Sequence, residues 1–272
     1  MELEVLGVGN AFTSLYYNTS FLVRSDRLYL IDGPQGLLRL LRERGIDPAL
    51  INDVIVTHVH GDHSSGLETL FLWKKYVENR RVTLYTSRAV HQAMRERFFP
   101  GFSETFTPDL MSVDESKFED YVDFVEVHTS GATQAGKEVE LEIRENWHPT
   151  PTIGIKLSTP LGSVAISGDT CYRPALLDAL LDKGTLDRSR YEKLAGNWLW
   201  SADVIYHEVT RKEPNAHTLE KDLLALPEVI RKKIRLVHFD DDFSEGRLPL
   251  ARERERVRFP SRGVPIILYN PS

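Results

Sequence analysis

Residues 58–63, with the sequence His-Val-His-Gly-Asp-His, place three imidazoles and a carboxylate within six positions. The segment follows an apolar run at residues 54–56, a pattern typical of a buried strand. Side chains two positions apart on a strand point the same way, so His58 and His60 are expected to face one point. Gly61 allows the backbone to turn back, so that the acid and the third histidine approach the same point. Imidazole and carboxylate are preferred ligands of zinc and similar divalent metals, so the sequence predicts a metal site here.

The chain is long enough, at 272 residues, for one large domain spanning residues 1–272. Its formal charge of −6 gives no general attraction to nucleic acid or to anionic membranes. No apolar run approaches the roughly 20 residues of a membrane helix, and the acidic start differs from a signal peptide. A single cysteine, Cys171, excludes an internal disulfide. The expected location is therefore the cytoplasm, with no membrane partner.

Strand and helix patterns alternate along the chain, and pattern alone predicts a mixed α/β fold. The expected strands are residues 1–9, 19–23, 28–31, 53–57, 82–85, 124–127, 139–144, 152–158, 164–167, 203–206, 234–238 and 264–269. The expected helices are residues 34–44, 64–77, 87–99, 174–180, 187–195 and 219–232, the last interrupted at Pro227. Residues 100–117 show no periodicity and are interpreted as a surface excursion, either a lid or a contact with a second copy in a homodimer.

The opening motif resembles the metal-binding signature of the metallo-β-lactamase-fold hydrolases. That family has further ligands downstream, and three residues at expected strand ends match those positions. His148 follows the strand at 139–144, Asp169 follows the strand at 164–167, and His238 ends the strand at 234–238. The resemblance implies an αββα four-layer sandwich. It also implies two divalent metal ions, zinc in the first place, with manganese and iron as alternatives.

The resemblance further implies how the ligands divide between the metals. His58, His60 and His148 would hold one metal, and Asp62, His63 and His238 the other, with Asp169 bridging them. The expected nucleophile is a hydroxide that bridges the two ions, and Asp62 would also orient or deprotonate it. A residual positive charge at such a centre suits an anionic substrate.

A second motif narrows the branch of the family. Residues 206–210 read Tyr-His-Glu-Val-Thr and residues 216–218 read Ala-His-Thr. They resemble the His-Glu-Ala-Thr and His-Ser-Thr segments of ribonuclease Z and its phosphodiesterase relatives. The resemblance implies that Glu208 and His217 assist at the scissile phosphate, with His217 protonating or stabilising the leaving oxygen. The alternative is that Glu208 merely caps the next segment of the chain and His217 is solvated.

Ribonuclease Z enzymes also carry a long arm that grips tRNA. Here the interval between His148 and Asp169 is filled by two expected strands, so no arm fits. The favoured function is therefore hydrolysis of a small phosphodiester, such as a cyclic nucleotide or a short oligonucleotide. The alternatives are a ribonuclease Z-like tRNA 3′ endonuclease, a hydrolase of thioesters, lactones or β-lactams, and a non-catalytic metal-binding scaffold.

Three residues near these motifs are set aside. His207 is expected to face away from Glu208 on the same strand, and Cys171 is interpreted as a small wall residue. Trp147 lies next to a proposed ligand, where a position in the pocket wall competes with a structural role.

Overall fold

The computed structural model describes residues 1–213 and 215–269 of the chain. In these residues the strands are β1 (Glu2–Gly7), β2 (Ser20–Arg24), β3 (Leu28–Ile31), β4 (Asp53–Ile55), β5 (Val82–Thr86), β6 (Glu104–Phe106), β7 (Val113–Glu115), β8 (Val122–Glu126), β9 (Thr133–Ala135), β10 (Val139–Glu145), β11 (Ile153–Thr159), β12 (Gly162–Ile166), β13 (Val204–Glu208), β14 (Ile234–Val237), β15 (Glu255–Ser261) and β16 (Val264–Tyr269).

The α-helices of the same residues are α1 (Leu37–Glu43), α2 (Gly61–Ser64), α3 (Leu67–Tyr76), α4 (Arg88–Phe98), α5 (Pro174–Asp182), α6 (Arg188–Ala195), α7 (Glu220–Leu224) and α8 (Glu228–Arg231). Short 3-10 turns lie at Pro48–Leu50, Phe99–Gly101, Phe118–Asp120 and Leu199–Ser201.

Two large sheets carry the fold. The first has the strand order β16-β15-β1-β2-β3-β4-β5-β8, and the second has the order β14-β13-β12-β11-β10-β9. β3, β4, β5 and β8 run parallel to one another, as do β12, β13 and β14. Because parallel strands end at the same edge of a sheet, each sheet gathers the residues that follow these strands along one edge.

The two sheets pack face to face. The ring of Phe21 on β2 lies 5.1 Å from the ring of Tyr206 on β13. The hydroxyl of Tyr29 on β3 donates to the carbonyl of Ala135 on β9 at 2.7 Å. Every residue of β4 and β13 is buried, as expected of parallel strands that have neighbours on both sides and are covered on both faces.

Helices cover the outer faces. On the first sheet, His91 of α4 stacks on Phe124 of β8 at a centroid distance of 3.8 Å. Ser87 caps the N-terminus of α4, because its hydroxyl oxygen accepts from the N–H of Val90. On the second sheet, α6 lies beside β10, where Arg190 pairs with Glu145 at 3.8 Å. The predicted αββα sandwich is confirmed.

Three expectations are corrected. Residues 100–117 are not irregular, because β6 and β7 pair there as a hairpin whose side chains are largely exposed. The helix expected at 64–77 is divided into α2 and α3 by a break at Ser65 and Gly66. The strand β15 was not among the expected strands, and it pairs with β1 on one side and β16 on the other.

None of the helices in the described part of the chain combines the length and the apolarity that a membrane crossing needs.

Glu255 is a buried carboxylate at the contact between the sheets, and we expect the fold to depend on it. Arg235 pairs with both its oxygens, and the Tyr206 hydroxyl donates to Oε1 at 2.9 Å. Glu255→Ala leaves the guanidinium of Arg235 without its partner, so the free energy of unfolding should fall by about 3 kcal/mol. Urea denaturation measures this change.

The matched control is Glu192→Ala, which removes an exposed i,i+4 partner of Arg188. It should change the free energy of unfolding by less than about 0.5 kcal/mol. Similar losses in the two variants would contradict a structural role for the buried pair.

Candidate metal and catalytic site

The end of β4 is held by one carboxylate. Asp32, which follows β3 with a left-handed φ of 59°, accepts the backbone N–H of Thr57 at 2.8 Å and its hydroxyl at 2.7 Å. Nδ1 of His63 lies 2.8 Å from the same carboxylate, and Nδ1 of His58 lies 3.0 Å from the Thr57 hydroxyl oxygen. Because Nδ1 of each ring is engaged, Nε2 of each ring is left to face the centre of the site.

Residues from the second sheet complete the cluster. Nε2 of His148, between β10 and β11, lies 3.2 Å from Nδ1 of His60. Nε2 of His238, directly after β14, lies 3.1 Å from Oδ2 of Asp62. The structure thus brings the seven residues predicted as ligands together.

Asp169 lies in the loop that follows β12. Its two carboxylate oxygens face different neighbours. Oδ2 lies 3.5 Å from Nε2 of His58 and 3.8 Å from Nε2 of His148. Oδ1 lies 3.2 Å from Nε2 of His63 and 3.5 Å from Nε2 of His238. The carboxylate therefore lies between two groups of imidazoles.

These side chains fit divalent cations. His58, His60, His148 and Asp169 offer ligand atoms within 4.8 Å of one another, and Asp62, His63 and His238 form a second such group. Nε2 of His58 and Nε2 of His63 are buried and make no hydrogen bond to the described residues. Buried polar atoms without partners are rare in native proteins, and a cation accounts for several nitrogens aimed at one point.

The protonation states agree with this fit. Burial lowers the pKa of His148 to about 3, so its ring is neutral and its lone pair is available. Burial also lowers the pKa of His58. Burial opposes ionisation of Asp169, but His238, His63 and His58 outweigh it and hold the pKa of that carboxyl well below its usual range. At His58 and His148 the site therefore presents neutral imidazoles beside an ionised carboxylate. Burial opposes a charge on His63, but Asp169 and Asp62 outweigh burial and raise the pKa of that ring well above its usual value.

Glu208 and His217 lie beside this cluster. Glu208 ends β13, and its Oε2 lies 2.7 Å from Nδ1 of His217. Burial would lower the pKa of His217, but the hydrogen bond and charge of Glu208 outweigh burial and raise it to about 9. The His217 ring remains 23% exposed and packs 4.9 Å from the ring of His238. A protonated imidazole is thus held at the entrance to the cluster.

The neighbouring residues differ in their roles. As expected, His207 faces the opposite side of β13 from Glu208, where it stacks on Trp200 at 5.4 Å. Cys171 is a buried free thiol. Asn146 was not predicted, although its amide donates to the carbonyl of Asp169 at 2.9 Å. The sequence signal that could have identified Asn146 is its position as a polar residue two places before His148.

The fold and the His/Asp cluster define this chain as a protein of the metallo-β-lactamase fold with a candidate metal centre. It superimposes on human tRNase Z, short form, with a TM-score of 0.66 at 17% identity, covering 96% of this chain and 100% of that one. It superimposes on the metallo-β-lactamase fold protein YhfI from Bacillus subtilis with a TM-score of 0.64 at 13% identity, covering 89% and 88%. The predicted resemblance is confirmed.

Within that class, the chain belongs to the family described as Anti-Pycsar protein Apyc1, whose model matches residues 1–264. The Anti-Pycsar protein Apyc1 of Saccharibacillus brassicae is 29% identical over 247 residues, which cover 89% of this chain and 91% of that protein.

A longer relative is the cAMP/cGMP-dependent 3′,5′-cAMP/cGMP phosphodiesterase B of Dictyostelium discoideum. It is 31% identical over 241 residues, or 88% of this chain. The chain spans about a fifth of the length of that protein.

Metal binding should stabilise this fold, because a cation offsets the crowded imidazoles and carboxylates of the cluster. After treatment with a chelator and dialysis, zinc at 100 times its dissociation constant should stabilise the protein by about 2.7 kcal/mol. Differential scanning calorimetry measures the shift.

His58→Ala should remove most of this zinc-dependent stabilisation. The matched control is His128→Ala, which removes an exposed histidine paired with Glu126 outside the cluster and should keep it. Equal responses to zinc in the two variants would contradict the site.

Proposed function

We propose that this protein hydrolyses small phosphodiesters, 3′,5′-cyclic nucleotides above all, at a centre of two divalent cations. The observation that carries the proposal is Asp169, whose two oxygens face two separate groups of imidazoles. A carboxylate in that position is suited to bridge a pair of ions.

The ligands divide as the geometry of the two groups suggests. His58, His60 and His148 would hold one ion, and Asp62, His63 and His238 would hold the other. Nitrogen-rich ligation favours zinc, with manganese and iron as alternatives. When bound, the ions supply positive charge that attracts the phosphate and lowers the pKa of water.

The side chains of the chain perform the remaining tasks. Asp62 orients the attacking water and accepts its proton. His217, with Nδ1 on Glu208, carries a transferable proton on Nε2 for the leaving oxygen. Glu208 keeps the ring in this orientation and stabilises its charge.

Two observations favour a small substrate. The Dictyostelium relative is named as a phosphodiesterase of cAMP and cGMP. Between His148 and Asp169 the chain forms only β11 and β12 with their short connections, so no arm for tRNA extends from this interval. This interval therefore supplies no RNA-binding element, which favours a compact diester as substrate.

A substrate screen with metal analysis tests the proposal. Purified protein should contain about two metal ions per chain and should hydrolyse 3′,5′-cyclic nucleotides and bis(4-nitrophenyl) phosphate. His60→Ala should abolish turnover while circular dichroism remains unchanged, and His128→Ala should behave as wild type.

Other results would redirect the assignment. Selective cleavage of a pre-tRNA 3′ trailer would indicate an endonuclease, and turnover of thioester, lactone or β-lactam substrates alone would indicate another hydrolase. A folded, metal-loaded protein inactive on every substrate would indicate a scaffold.

The proton donor can be tested by comparing leaving groups. Cyclic nucleotides expel a basic alkoxide, which needs a proton, whereas 4-nitrophenolate leaves without one. His217→Ala should therefore lower kcat for 3′,5′-cAMP by about 100-fold or more and should affect bis(4-nitrophenyl) phosphate far less. Glu208→Gln should lower kcat for 3′,5′-cAMP in the same selective way. Equal losses on both substrates would assign His217 to binding instead.

A further inference from the structure

Arg173 lies just before α5, four positions after Asp169, and its partly buried guanidinium points at the segment that carries His217. Nη2 donates to the carbonyl of Asn215 at 2.9 Å and to that of His217 at 3.0 Å, while Nε donates to the His217 carbonyl at 3.3 Å. We propose that Arg173 is a positioning residue that fixes His217 for proton delivery to the leaving oxygen, an inference that rests on the proposed function.

The contact acts on a single peptide group. The carbonyl of the His217–Thr218 peptide accepts from Arg173, and the N–H of the same peptide donates to Oε1 of Glu208 at 2.7 Å. A planar trans peptide directs these two groups in opposite directions. A cation at the carbonyl end and a carboxylate at the amide end both favour one orientation of the peptide dipole.

The orientation of this peptide sets the direction in which the His217 side chain leaves the backbone. The other oxygen of Glu208 meets Nδ1 of the His217 ring at 2.7 Å. One carboxylate thus holds both the ring and the following N–H, and the guanidinium opposes it from the far side. Glu208 and Arg173 together hold the His217 ring in one position relative to Asp169. Oδ2 of Asp169 lies 3.9 Å from Nδ1 of that ring.

Packing alone does not supply this restraint. Of the described residues between 211 and 217, Asn215 and His217 are partly buried and the others are exposed. The next residue, Thr218, is buried, donates its hydroxyl to the carbonyl of Thr170 and accepts from the N–H of Tyr172. Hydrogen bonds from residues 170–173 therefore tie the His217 segment to the stretch that directly follows Asp169.

Arginine suits this position better than lysine. Its guanidinium reaches two carbonyl oxygens in fixed directions, whereas an ammonium is a mobile point charge. We therefore expect Arg173→Lys to retain part of the function of Arg173 and Arg173→Ala to lose it.

A comparison of the two leaving groups distinguishes a positioning role of Arg173 from a general loss of structure. Arg173→Ala should lower kcat for 3′,5′-cAMP by at least about 10-fold, since a misplaced acid forfeits part of its catalysis. KM, metal content and kcat for bis(4-nitrophenyl) phosphate should stay within about 3-fold of wild type. Arg173→Lys should recover part of the lost kcat. In a His217→Ala background, Arg173→Ala should have no further effect on cAMP turnover.

The matched control is Arg44→Ala. Arg44 is another partly buried arginine that donates to a backbone carbonyl, that of Leu6, and it pairs with Glu253, far from His217. Its loss should lower stability and leave the ratio of the two kcat values unchanged. If Arg173→Ala does not fold, Arg173→Lys must show the same selective loss on a smaller scale.

Hydrogen exchange gives a readout that does not need turnover. The Thr218 amide should exchange at least about 10-fold faster in Arg173→Ala than in wild type or Arg44→Ala. Equal kcat losses on both substrates, additivity with His217→Ala, or unchanged Thr218 exchange would each overturn the inference. An inactive wild-type protein with the predicted exchange would refute the proposed function and leave the backbone contact in place.

Discussion

Asp169 is an ionised carboxylate buried among the imidazoles of His58, His63, His148 and His238. Removing such a charge from water is costly unless opposite charge or hydrogen bonds replace the lost hydration. The neutral rings of His58 and His148 supply little of that compensation, whereas a divalent cation supplies it directly. Binding of a metal ion at this centre would therefore offset the buried charge and stabilise the folded chain at the same time.

The sheets are joined where this centre lies. The N–H of Ile153, at the start of β11, donates to the carbonyl of Thr57 at 3.0 Å. The N–H of His238 donates to the carbonyl of Val8 at 2.7 Å, and His238 has a left-handed φ of 57°. That conformation is uncommon outside glycine, and a contact from the facing sheet holds it in place. Each sheet thus supplies backbone partners for the ligand-bearing loops of the other.

The clustering of these side chains could be predicted from the sequence, because imidazoles and carboxylates at strand ends form a chemically distinctive pattern. The sequence pattern did not predict β15, although Glu255, Val257 and Phe259 alternate as its buried residues. Because Glu255 is charged, the alternation of apolar and polar residues is incomplete. Glu255 is buried because Arg235, distant in sequence, satisfies it. Arg173 gave no signal either, since its partners are backbone carbonyls, which every residue has.

The histidine-rich segment at 58–63 belongs to the first sheet, whereas His148, Asp169 and His238 come from the second. No half of the polypeptide therefore carries a finished centre. During translation, residue 238 must leave the ribosome before all of these side chains can meet at one point. Metal binding by the complete cluster is then a late step of folding. A nascent chain that stops before His238 lacks part of the cluster.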